Sequence, residues 1–503
     1  MDIITRTVAP LFKARLRDIE RYSGRADEIQ NRQLRRLLDA AKDTEWGKLY
    51  GYRDGLDYEE YRSRVPVSPY EPFYPHIKRM INGESDVLWR GKVGWFAKSS
   101  GTTNDRSKYI PVTREILHKC HYKGAFDTVA LYLRNYPDTR FFSKKGLILG
   151  GSHAPSPLNA CSRCGDLSAV LLQNLNPFVN LVRVPCKKII LMDEWEAKVK
   201  AIAESTWNKD VVSLSGVPSW MLTVIKAVME RAGKETLGEV WNNLEVFFHG
   251  GVGFEPYRAQ YQRLISSERM RYMETYNASE GFFGLQDDPS DTGLLLMLDY
   301  GVFYEFVPAD ELPLSDNPHA IPLTEVRTGV NYALVVSSCG GLWRYLIGDT
   351  IRFTSVNPYK FVITGRTKLY INAFGEELMV DNAEKSIAEA CKATGAAVRA
   401  YTAAPLFMPE TGQGRHQWLI EFEKQPSDVE EFTNVLDDAL KQRNSDYEAK
   451  RYKDLSLQKP EVIVAREGLF FEWLKKQGKL GGQHKIPALQ NERTLIEELF
   501  LQN

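Results

Sequence analysis

Short apolar runs that lack the in-and-out alternation of a half-exposed strand constrain this chain most. They fall at residues 146–149, 189–192, 211–214 and 244–248. Several are apolar nearly throughout, as strands buried on both faces are, and helical periodicity between them, as over residues 220–231, predicts an α/β sheet. Residues 293–363 read differently. Their strand-like runs at 294–298, 302–307, 332–337 and 361–363 are separated by turns too short for crossover helices, which predicts antiparallel β-structure. Past Gly365-Arg366 the pattern changes again, to a helix near 380–393, strands at 398–402 and 418–422, and a helix behind Ser427-Asp428-Val429-Glu430, read as a capping box. A strand near 461–464 and a helix over 469–476 follow. The fold class expected is therefore α/β: a large N-terminal domain with α/β sheets and a β-rich subdomain over residues 1–367, then a small α+β C-terminal domain over 368–503. The boundary is placed near Lys368.

Charge and composition exclude little but point one way. Lys plus Arg and Asp plus Glu both total 65 in the 503 residues, so no global field favours nucleic acid or an anionic membrane. No apolar run reaches the roughly 18 residues of a membrane helix, and Met1-Asp2-Ile3-Ile4 does not read as a secretory leader. The expectation is a cytoplasmic protein, a monomer or weak homo-oligomer, with no nucleic-acid or membrane partner. Residues 11–42 set Leu11, Leu16, Ile19, Ile29, Leu34, Leu37 and Leu38 among charges, as amphipathic helices packed on a core do. Six cysteines read as reduced thiols. Cys161-Ser162-Arg163-Cys164 is the one close pair and has no matching second pair for zinc.

The chemistry concentrates in Trp95-Phe96-Ala97-Lys98-Ser99-Ser100-Gly101-Thr102-Thr103-Asn104-Asp105-Arg106-Ser107-Lys108. Hydroxyls, turn amides and lysine charge are what a polyphosphate needs in order to be held and neutralised. Composition alone leaves a polar surface turn as the alternative, because the Walker pattern, with its Gly directly before Lys, is not met. Glu280 beside Ser279, after the strand-like run 271–275, sets a carboxylate and a hydroxyl at a strand end, where α/β sheets bind ligands. Asp349 follows Gly348, so a tight turn could present its oxygens to a diol. No Gly-x-Ser-x-Gly elbow or complete dinucleotide fingerprint is present, which argues against a covalent hydrolase and against a Rossmann cofactor.

The order of these segments carries a resemblance. Ser-Ser-Gly-Thr-Thr followed by Lys108-Tyr109-Ile110-Pro111 resembles the phosphate loop of the auxin-responsive Gretchen Hagen acyl acid-amido synthetases, a branch of the adenylate-forming superfamily of acyl-CoA synthetases and firefly luciferase. Tyr276-Asn277-Ala278-Ser279-Glu280-Gly281 is similar to the motif with an adenine-facing Tyr, a phosphate-contacting hydroxyl and a magnesium-linked Glu. The stretch from Gly341 to Asp349 resembles the segment whose Asp holds the ribose hydroxyls. Thr364-Gly365-Arg366-Thr367-Lys368 resembles the hinge before a mobile C-terminal domain, and Gln483-His484-Lys485-Ile486-Pro487 the segment with its catalytic lysine.

The resemblance implies an ATP- and magnesium-dependent ligase that makes an acyl-adenylate from a small carboxylic acid and conjugates it to an amino acid. It implies ATP contacts from Ser99, Ser100, Gly101, Thr102, Thr103, Lys108, Tyr276, Ser279, Asp349, Arg366 and Lys368, with Glu280 and Lys485 catalytic and Glu280 linked to magnesium. His249-Gly250-Gly251 is a further segment expected along the nucleotide, and Trp220, Phe282 and Phe283 are candidate walls for the acid. Two positions depart from the family pattern: Asp105 stands where glycine is usual, and Ala488 where Arg follows the proline. The rival readings are an acyl-CoA ligase, which shares the first half-reaction, and a binding protein that kept the fold without the chemistry.

Overall fold

The computed structural model describes the chain except residues 1–2, 100–107, 151–155, 176–181, 193, 252–253, 310–317, 367–369, 372, 374–375, 377, 409–412, 445–446, 449–450, 452–456, 479–485 and 491, and the side chains of Ser99, Trp195, Ser219, Glu255, Pro256, Arg366, Tyr370, Met408 and Gln413. It divides into two compact units, the first chiefly Met1–Val252 and Leu264–Val362, the second chiefly Gly253–Arg263, Ile363–Leu480 and His484–Asn503.

In the first unit β1 (Trp95–Ser99), β2 (Lys108–Pro111), β4 (Ser156–Pro157) and β5 (Arg163–Gly165) form a sheet of order β2-β1-β5-β4. A larger sheet begins with β3 (Lys145–Ile148), β6 (Arg183–Val184), β7 (Val211–Gly216), β8 (Val246–Gly250) and β9 (Arg271–Ala278), which pair in parallel in the order β6-β3-β7-β8-β9. Val211, Val212 and Leu214 are fully buried, as unalternating runs require. At β9 the pairing switches to antiparallel with β10 (Gly281–Leu285). The sheet then runs through β11 (Leu294–Leu296), β12 (Val302–Pro308), β13 (Ile321–Pro322), β14 (Asn331–Ser338), β15 (Leu342–Val356) and β16 (Tyr359–Arg366), in spatial order β10-β11-β16-β15-β14-β12-β13. The parallel half and the antiparallel half expected from sequence are thus one sheet.

Helices Ile3–Glu20 and Ala26–Ala41 pack through Leu16, Ile19, Ile29, Leu34, Leu37 and Leu38, whereas Leu11, expected on the same stripe, is exposed, as single apolar residues on an outer helix face often are. Arg15 ties the first of them down, donating to Asp127 at 2.9 Å and to Asp299 at 2.6 Å. One strand expectation fails. The run 189–192 lies in and just beyond a helical turn, Lys187–Ile190, and the sheet takes Arg183–Val184 instead. A four-residue apolar run fits a buried helical turn as well as a strand, and periodicity cannot separate them.

The second unit carries β17 (Tyr370–Ile371) paired with β18 (Leu378–Met379), and a three-stranded sheet in which β20 (Gln413–Lys424) lies between antiparallel β19 (Ala397–Met408) and parallel β21 (Glu461–Ala465). Helices Val380–Thr394 and Val429–Arg443 contribute Ile387, Phe432, Leu436 and Leu440 to a core with Trp418 and Ile420. Burial of each such side chain contributes about 1.5–3 kcal/mol. The cap of the helix Val429–Arg443 is Asp428, whose carboxylate accepts from the Glu430 amide at 2.7 Å, rather than the expected Ser427. Asp and Ser are near-equal caps, so adjacent candidates compete on local geometry alone.

Candidate active site

β9 and β10 form a hairpin whose connection is only Ser279 and Glu280, since Ala278 pairs with Gly281 and Asn277 with Phe282. Both connecting residues are buried, although each is polar. The Ser279 hydroxyl has no hydrogen-bond partner among the described residues. Burying an unpaired hydroxyl costs about 1–3 kcal/mol, so the position calls for a partner that the described residues do not supply.

Tyr276, three residues before Ser279, sits edge-on to Phe283 and Phe361, with ring centroids 5.2 and 6.1 Å away. Its hydroxyl donates to the carboxylate of buried Asp349. Asp349 does not lie on the turn expected from Gly348-Asp349. It lies within β15, where Ile347, Gly348 and Asp349 all fall between the partners of Ala333 and Val335, a bulge in the ladder. Gly348 has φ +95°, which a side chain would resist, and a bulge of this kind re-aims the residue that follows.

The remaining sequence candidates fall into two sets. Ser99 and Lys108 are register partners across β1 and β2, closing the base of the segment 100–107, and the Lys108 ammonium lies 5.5 Å from the Tyr70 ring centroid. His249 is buried at the end of β8, and its carbonyl accepts from the Thr275 hydroxyl at 3.2 Å. Gly250 belongs there because a Cβ would sit 2.2 Å from the Thr275 carbonyl oxygen. Arg366 ends β16. Ser100, Gly101, Thr102, Thr103, Asp105, Lys368 and Lys485 lie outside the described residues. Phe282 and Phe283 belong to the core of the first unit, whereas Trp220 is half-buried.

Family models for the GH3 N-terminal, central and C-terminal domains match residues 15–270, 295–366 and 381–494. The chain belongs to the GH3 family. It is 21% identical to the 4-substituted benzoates-glutamate ligase GH3.12 of Arabidopsis thaliana, across 95% of this chain and 94% of that protein. It is 22% identical to the indole-3-acetic acid-amido synthetase GH3.3 of the same plant, across 96% and 93%. The solved structure of the AtGH3.15 acyl acid amido synthetase in complex with 2,4-DB superposes with a TM-score of 0.80 at 18% identity, covering 98% of this chain and 96% of that one. 2-Hydroxyisobutyryl-CoA ligase in its postadenylation state gives 0.61 at 13% identity, with 95% and 93% covered. The fold is the mixed α/β fold of the adenylate-forming ligases.

Sequence reading of this GH3 chain passed over the residues behind the hairpin. β2 leads through Thr113 into a helix. The Thr113 hydroxyl caps that helix by accepting from the Ile116 amide at 3.0 Å and donates to the Cys339 carbonyl at 2.6 Å. The helix then widens into a π-turn over Leu117–His121 before continuing as Tyr122–Asn135. His121 Nδ1 lies 2.9 Å from the Asn277 side-chain oxygen, and the Phe282 amide donates to the Cys120 sulfur at 3.1 Å. Burial pushes the His121 imidazole down to about 4, the Asn277 contact offsetting only part of that, and pushes the Cys120 thiol up to about 12. Both are neutral at physiological pH. A lone His and a lone Cys in an amphipathic stretch gave no signal, but a π-turn is a feature that clusters at functional sites.

Oxygen donors suit magnesium, which takes one or two carboxylates plus substrate phosphates. Glu280, buried beside the unpartnered Ser279 hydroxyl, fits that requirement.

Proposed function

We propose that this chain is a ligase that activates a small carboxylic acid as its acyl-adenylate and passes the acyl group to an amino acid. The observation that carries the reading is the buried polar tip Ser279-Glu280 on the same hairpin as a Tyr276 bonded to Asp349. The named relatives are acid-amido synthetases over almost the whole chain, which supports an amine as the acceptor.

In the first step a substrate carboxylate oxygen attacks the α-phosphorus of ATP, and the bond to the β-phosphate oxygen breaks to release pyrophosphate. The acid is already ionised at neutral pH, so no general base is needed. Both reactants are anions, and the protein's work is to hold them in line and cancel their repulsion. Tyr276 and Asp349 are assigned to adenine and ribose, and the segment Ser99 to Lys108 to the departing phosphates. Ser279 donates to a phosphate oxygen, and Lys485 supplies positive charge to the reacting oxygens. Magnesium bound through Glu280 would neutralise phosphate charge. In the second step the amine nitrogen attacks the acyl carbonyl carbon, AMP leaves, and the nitrogen loses a proton to give the amide.

We place the division of labour at residue 368, with residues 1–367 binding ATP and acid and residues 368–503 acting as a mobile catalytic lid about a hinge at Arg366 to Lys368. No described helix is long and apolar enough to cross a membrane. Six cysteines in 503 residues, too few for a disulfide frame, support a reducing cytoplasm as the place of work. Acid-dependent exchange of labelled pyrophosphate into ATP tests the first step, and its complete absence across a broad acid panel would leave only the binding-protein reading. Mass analysis of products formed with amino acids or with coenzyme A then separates amide from thioester.

A further inference from the structure

The hairpin that carries Ser279 and Glu280 lacks the turn geometry usual for a connection of its length. Two-residue hairpins ordinarily rely on turns with positive φ, which match the twist of the strands they join. Among the described residues, the non-glycine ones with positive φ are Asp86, Ser266 and Arg344, so neither Ser279 nor Glu280 adopts that conformation. The ladder is also irregular just past the turn, between Phe282 and Gly284.

What fixes this turn comes from the π-turn behind it, which grips both strands at one register pair. On the incoming strand His121 holds Asn277; on the outgoing strand the Cys120 sulfur takes the Phe282 amide, and the Phe282 ring packs where a Cβ on Gly124 would lie 2.5 Å from it. A π-turn inserts one residue into a helix, and the consecutive residues Cys120 and His121 use it to reach opposite strands.

We propose that His121 and Cys120 are positioning residues for adenylation, acting through Asn277 and Phe282 to hold Ser279 and Glu280 in register with the nucleotide. The inference rests on the assignment of Ser279 and Glu280 above. With the Asn277 oxygen facing the ring, Nδ1 carries the proton and donates, while Nε2 has no hydrogen-bond partner among the described residues. The two nitrogens therefore make different predictions. An Asn side chain puts its amide donor where Nδ1 stands, and a Gln side chain puts one where Nε2 stands.

The test measures acid-dependent pyrophosphate exchange, nucleotide affinity by titration with a non-hydrolysable ATP analogue, and thermal midpoint for wild type, H121N, H121Q, H121A, N277A, C120A, H121A/N277A and E280Q. Expected are a kcat roughly 10- to 100-fold lower for H121A, H121Q and N277A, the range that a misplacement of about 1 Å produces, with analogue affinity little changed. H121N should recover most of the rate, the double variant should be no slower than the worse single variant, and C120A should slow exchange. Full activity in H121A and N277A, or rescue by H121Q in place of H121N, overturns the proposal, the latter because it makes Nε2 a substrate contact. Wild-type exchange with full activity retained in E280Q instead overturns the assignment of Glu280 on which the proposal stands.

Discussion

The hydroxyl of Tyr276 donates to the carboxylate of Asp349, joining β9 to a bulge in β15 from 73 residues away. The bond orients both groups before any nucleotide arrives. A hydrogen bond to a charged group is worth about 1.5–3 kcal/mol. Tyr276→Phe keeps the ring between Phe283 and Phe361 but loses the donor, so the KM for ATP should rise roughly 10-fold with kcat nearly unchanged. Asp349→Ala should raise it further. Steady-state kinetics at saturating acid reads both, and an unchanged KM would detach the pair from the nucleotide.

Glu280→Gln keeps the size of the side chain and removes its charge. Pyrophosphate exchange should fall by about 100-fold or more, and added magnesium should not restore it. In the wild type a chelator should abolish exchange and magnesium should bring it back. Wild-type-like exchange in the variant would remove Glu280 from the metal assignment.

On the proposed role, in which its charge acts mainly in the transition state, Lys485→Ala should slow adenylation by about 100-fold or more while leaving ATP affinity within a few-fold. Single-turnover acyl-AMP formation, measured alongside ATP-analogue titration, separates the two quantities. Equal losses in both would make Lys485 a binding residue only.

In the second unit Asp437 is held by Arg451 at 2.8 and 2.7 Å, by the Tyr447 hydroxyl at 2.7 Å and by Lys441 at 2.6 Å. Burial pushes this carboxyl up, but the bonds from Arg451, Lys441 and Tyr447 outweigh it and hold it below its ordinary value of 3.8. A depressed carboxyl stabilises the fold fully above its unfolded value and loses that contribution as pH falls through the folded one. Asp437→Ala should therefore cost about 3–5 kcal/mol near pH 7, with a smaller difference from wild type below about pH 4. Urea denaturation at several pH values checks this, and a pH-independent difference would contradict it.

Much of the architecture was legible because burial leaves a composition trace. The unalternating runs at 211–214 and 244–248 mark strands inside a sheet, and the strands after 293 pair antiparallel as expected, although the short turn after β11 leads to β12, which is not its neighbour. The strand 342–356 was read as a ligand motif and not as the longest strand, because Gly348 looked like a turn when it forms a bulge. The pairs Tyr276 with Asp349 and His121 with Asn277 left no trace, since each joins residues that only the folded sheet brings together. Within the candidate site, motif order singled out Ser279, Glu280 and Asp349, and the fold buries all three. Their supports were not legible.

A two-residue connection between β9 and β10 has no slack. Adding or removing one residue there would slide β10 along its neighbours and turn Phe282, Phe283 and Leu285 to the opposite face of the sheet. The hairpin tolerates an exchange of side chains, whereas a change of length by one residue would move a whole strand of the sheet core.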